Sequence, residues 1–99
     1  MNRVATALLL VIVTIGLGGC RRHAATRDEC RAILDRIVEL ELHELGFRDP
    51  VLARRKADEA SRAFAPDLAR CDGVRIPNGA MRCVQDATTV EEISHRCLH

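Results

Sequence analysis

The chain has 99 residues, five of them cysteine, and 15 Lys plus Arg against 14 Asp plus Glu for a formal net charge of +1. That length allows one domain, and charges that nearly cancel exclude the strong field that steers polyanions, so no nucleic-acid partner is expected. Trp and Tyr are absent and Phe occurs twice, which excludes an aromatic stacking platform or an antibody-like paratope.

Arg3 is the only charge among the first 20 residues, and Val4 to Leu17 runs apolar or small. At about 1.5 Å per residue this run makes a helix of about 21 Å. A bilayer core is about 30 Å thick, so the run is short for a span. It suits the apolar core of a signal peptide. Leu17-Gly18-Gly19-Cys20 follows directly and resembles the lipobox of bacterial lipoproteins.

The resemblance implies attachment of a diacylglyceryl group to the Cys20 thiol, cleavage just before Cys20 and acylation of the new amine, with long acyl chains such as palmitate. Two or more chains anchor stably where one is marginal, so Cys20 is the expected membrane anchor. In enterobacterial members of that family an Asp directly after the lipidated Cys retains the protein in the inner membrane. Here that residue is Arg21, which implies the outer membrane, with the domain facing the periplasm. The expected organisation is a signal peptide over 1–19, a lipidated tether over 20–26 and a helical domain over 27–99. Without residues 1–19 the chain loses Arg3, leaving 14 basic and 14 acidic residues and no formal net charge.

Cys30, Cys71, Cys83 and Cys97 remain. An even number of cysteines in a small exported domain points to two disulfides, and four cysteines permit three connectivities. Helix geometry favours one of them. Thr26 and Glu29 have capping-box spacing. Ile33, Leu34, Ile37, Val38, Leu40, Leu42 and Leu45 then recur mostly at helical intervals, with Gly46 as the stop. Asp49-Pro50 reads as a cap followed by proline at the first helical position. Ala53, Ala57, Ala60, Phe64, Leu68 and Cys71 form the stripe of a second helix. Pro66 should break or kink it near Arg62 to Ala65. Two antiparallel helices bring Cys30 beside Cys71. Ala80 to Ala87 suits a short helix. Thr88 and Glu91 have capping-box spacing before another helix that carries Val90, Ile93 and Cys97, which leaves Cys83–Cys97 as the second pair. Val74-Arg75-Ile76 alternates but is too short to count as a strand. The fold class expected is all-α: a small disulfide-stapled domain made of a helical hairpin and two shorter helices.

Chemistry has little support. His43-Glu44 opens like a zinc-protease HExxH, but position 47 is Phe47. His95, Cys97 and His99 are metal-ligand types, yet a helix points Cys97 away from the two histidines, so no metal site and no cofactor are expected. Glu41 is an anomaly near the middle of the first helix's apolar arc. It is expected to reach the rim or to pair with an arginine such as Arg54 on the facing helix. With no nucleophile or paired-carboxylate constellation, the expected protein is not an enzyme. It is a lipid-anchored envelope protein that acts as a structural or protein-interaction module, its partner an unidentified envelope protein. The alternatives are a pilotin-like escort of an outer-membrane partner, suggested by size, helicity and anchoring, or a lipoprotein that binds a small apolar ligand or lipid.

Overall fold

A computed structural model describes residues 21–99. Cys20, the lipobox and the apolar run before it lie outside the described residues. Among the described residues the domain is mostly helical, with one small two-stranded ribbon, and two disulfides staple it.

Helix α1 runs Arg27–Glu44. Its start is the reciprocal cap expected from sequence. The Glu29 amide donates to Thr26 Oγ1 at 3.1 Å, and the Thr26 amide donates to Glu29 Oε1 at 3.0 Å. Two of the orphan amides of a helix N-terminus are thereby satisfied. Its end is a Schellman turn. Gly46 takes φ +89°, its amide reaches the His43 carbonyl at 3.0 Å, and the Phe47 amide reaches the Leu42 carbonyl at 2.9 Å. A β-carbon at this φ would be strained.

Helix α2 runs Pro50–Ala63, capped by Asp49 Oδ1, which accepts from the Val51 amide at 2.9 Å. Helix α3 runs Ala65–Cys71. The break between them falls at Phe64, whose φ of −104° and ψ of 25° leave the helical region. Pro66, in the first turn of α3, has no amide to donate backwards. The α1–α2 hairpin is clamped on one edge by Arg31, which bonds Asp35 at 2.8 Å and reaches across to Asp58 at 2.6 Å.

Helix α4 runs Ala80–Asp86, and helix α5, Val90–Glu92, continues as a single wide π turn over Ile93–Cys97. That turn closes with the Leu98 amide on the Ile93 carbonyl at 3.2 Å. The cap of α5 is Thr89, whose Oγ1 accepts from the Glu92 amide at 3.2 Å. The expected Thr88–Glu91 box is therefore shifted by one residue. Thr88 instead donates its hydroxyl to the Glu92 carboxylate at 2.8 Å.

The main core joins α1 to the C-terminal elements. Ile33 and Leu40 of α1 are buried with Val84, Ala87, Ile93 and Cys97. Arg36 ties the same faces together by donating to the Ala87 carbonyl at 2.7 Å. Cys83 and Cys97 are joined across this core. A second cluster of Ala25, Cys30, Ile76 and Ala80 closes the end of the domain, beside the Cys30–Cys71 bond. Both connectivities are those favoured by helix geometry.

The segment expected to be a tether is part of the fold. Strand β1, Arg22–Ala24, pairs antiparallel with β2, Arg75–Pro77, in the register Arg22 with Pro77, His23 with Ile76 and Ala24 with Arg75. The ribbon is prolonged at both ends. The Asn78 amide donates to Arg21 O at 3.3 Å and the Ala25 amide to Val74 O at 2.7 Å. Ala25 is 2% exposed. Pro77 lacks an amide and closes the strand, a position where proline is tolerated. Within the segment expected as a 20–26 tether, folded structure begins by Arg22, and strand β2 takes in Arg75 and Ile76 of the Val74-Arg75-Ile76 run set aside as too short.

Candidate functional site

The flank of α1 beside the main core is only partly covered. Between α1 and the α2–α3 arm lies an open groove of about 430 Å³. Leu34, Ile37 and Val38 form its floor; Ala60, Phe64 and Leu68 form the facing wall. The Cys30–Cys71 bond closes one end. Phe64 is 52% exposed, although its spacing had placed it on the buried stripe of the second helix. The interruption at Pro66 accounts for the difference. Alanines bring α2 close to α1 up to Ala57, which is 5% exposed. The chain then leaves helical geometry at Phe64, so its ring stays at the groove wall.

Glu41 and Asp67 also line this groove. Glu41 is exposed and makes no ion pair among the described residues. The expected Arg54 partner is on the other edge of the hairpin, lining a recess with Asp35, Glu39 and Asp58. Asp67 is held by Arg70 one turn on. Among the described residues no Lys, Arg or His lines the groove.

A second constellation sits where β1 meets the domain. His23 places Nδ1 2.9 Å from Asn78 Oδ1 and Nε2 2.9 Å from Glu29 Oε2 and 3.1 Å from Oε1. Both ring nitrogens face oxygen acceptors, an arrangement that suits the doubly protonated imidazolium. The Glu29 hydrogen bond is the main cause that raises the His23 pKa above its ordinary 6.5, followed by Asn78; desolvation and then the charge of Arg75 oppose them. The Glu29 carboxylate is held below its ordinary range first by the Thr26 amide and then by His23. Composition gave no hint of this cluster, because the pairing of β1 with β2 is what brings Asn78 to the His23–Glu29 pair.

The other singled-out residues are not gathered into a site. His43 Nε2 lies 3.9 Å from Glu39. Cys97 is tied to Cys83, while His95 and His99 are exposed. Among the described residues no three His, Cys, Asp or Glu side chains are grouped to hold a metal ion, and no helix is long and apolar enough to cross a membrane. No known protein family, no curated protein and no solved structure matches the chain.

Proposed function

We propose that the protein is a lipid-anchored component of the cell envelope, held through Cys20 at the outer membrane facing the periplasm, and that it acts as a protein-interaction module. The observation that carries the interaction reading is the open groove over Leu34, Val38 and Phe64. Isolated exposed apolar side chains are ordinary, but a continuous apolar path left open on a small domain marks a contact surface. The anchor reading rests on the order of Arg3, the apolar run and Leu17-Gly18-Gly19-Cys20. Two disulfides suit an oxidising exported compartment.

Mass spectrometry of the protein from its native membrane should find an acylated Cys20 as the first residue, and Cys20→Ser should move the protein out of the membrane fraction. Retention of the variant in the membrane removes the anchor. On native gels of mildly solubilised envelopes the wild type should run in an assembly larger than itself, and Val38→Asp should dissolve that assembly. Migration of both forms as the isolated protein removes the interaction module.

A further inference from the structure

We propose that the groove between α1 and the α2–α3 arm receives an amphipathic helix of a protein partner, whose apolar ridge lies on Leu34, Val38 and Phe64 and whose Lys or Arg side chain meets Glu41. This rests on the interaction-module reading and gives its partner a chemistry.

The shape comes first. The floor runs along α1 from Cys30 to Glu41, a rise of about 16 Å or three helical turns. Its walls are two helix flanks, so the groove offers no free backbone edge for a strand. A helix laid lengthwise fits such a trough, with side chains at i, i+3, i+4 and i+7 as anchors.

The charge then selects among apolar occupants. Among the described residues the groove's ionisable lining is two carboxylates, Glu41 and Asp67. Arg70 already engages Asp67, whereas Glu41 makes no ion pair among the described residues. A neutral apolar occupant would strip water from Glu41 and return nothing. A fatty acid or other anionic amphiphile would add a like charge. A basic residue flanking an apolar ridge supplies the missing counterion, and charge complementarity of this kind sets specificity. The carboxylate that is out of place on the apolar arc of α1 thereby becomes the residue that reads the partner.

The test uses the full-length lipoprotein in phosphatidylcholine nanodiscs. The probes are two fluorescent amphipathic peptides of about 15 residues, long enough to be helical. They share one leucine ridge and differ only in carrying Lys or Glu beside it. After subtraction of empty-disc binding, wild type should prefer the Lys peptide by about three- to fivefold, as expected for a partly exposed pair. Glu41→Lys should reverse the preference. Val38→Asp should weaken both peptides by about tenfold or more, and Phe64→Ser, at a position 52% exposed, should weaken them in the same direction.

Equal binding of the two peptides, or no reversal in Glu41→Lys, overturns the proposal. Displacement of the Lys peptide by palmitate as readily as by unlabelled peptide would give the groove to an acyl chain. Self-association in sedimentation that Val38→Asp abolishes would give it to a second copy; either result overturns the proposal. An assembly in native envelopes that Val38→Asp dissolves, combined with indifference to peptide charge, refutes the basic helix and leaves the interaction module standing. A protein that migrates alone removes the module and this partner with it.

Discussion

His23 shows how one side chain makes a junction conditional on pH. It sits on β1, bonded to the N-terminal turn of α1 through Glu29 and to the turn after β2 through Asn78. Its pKa is raised in the fold, so its contribution to stability is fully present below the ordinary 6.5 and is lost as pH rises through the folded value. The Glu29 pKa is lowered, so its contribution is present above the ordinary 4.5 and is lost as pH falls through its folded value. Both contributions coexist between those two ordinary values. The urea midpoint should therefore be higher at a pH inside that window than at a mildly alkaline pH. His23→Gln should flatten the alkaline fall while leaving the acid limb largely in place. A wild-type midpoint that does not move on the alkaline side would refute the linkage. The charge of Arg75 opposes the protonated ring, and its guanidinium donates to the Arg22 carbonyl at 3.0 Å.

At the scale of elements, the hairpin was legible because its signals are local. Thr26 and Glu29, Gly46, Asp49-Pro50 and Pro66 each act within one helical turn, and each appears where its chemistry requires. The staples followed from them, since an antiparallel pair of known ends brings Cys30 to Cys71. The ribbon was not legible. Arg22–Ala24 carries no alternating apolar pattern, and its partner lies more than 50 residues away, so nothing in either strand alone announces the pairing. The cap of α5 slipped by one residue because adjacent threonines, Thr88 and Thr89, both offer an oxygen. Glu41 was visible as an anomaly, but periodicity places a residue on a helix face without saying what stands opposite; only the fold shows a groove there. The staples also give a quantitative expectation. Opening Cys30–Cys71 by paired serine substitution should cost about 4 kcal/mol, and opening Cys83–Cys97 about 3 kcal/mol, in the chain-entropy picture. Denaturant curves of the two double variants should rank in that order. Cys30 and Cys97 are each 2% exposed, so a buried serine hydroxyl adds a similar desolvation cost to both variants and leaves the ranking to loop length. A loss for Cys83–Cys97 that exceeds the other would mean packing outweighs loop length.

For the whole molecule, the inclusion of β1 in the fold changes how a lipid at Cys20 would hold the domain. A free tether over 20–26 would reach about 20 Å. With folding begun by Arg22, the slack shrinks to two peptide steps, or about 7 Å. The domain would then sit against the membrane in a restricted orientation, and the groove would face a restricted set of directions. The junction is also where a substitution should separate a tether from a structural strand. Ala25 is 2% exposed among Cys30, Ile76 and Ala80, and its amide bonds the Val74 carbonyl. Ala24, next to it, is exposed. Ala25→Asp buries an unpaired charge and should cost about 2 kcal/mol or more, whereas Ala24→Asp should stay within about 0.5 kcal/mol of wild type. Hydrogen exchange gives the same contrast without mutation. The Ala25 amide should be protected to a degree comparable with the first turns of α1, because the ribbon and α1 share one buried cluster. An Ala25 amide that exchanges as fast as an unstructured chain, together with two silent aspartate variants, would return residues 22–25 to the tether. The groove would then be free to turn in any direction above the membrane.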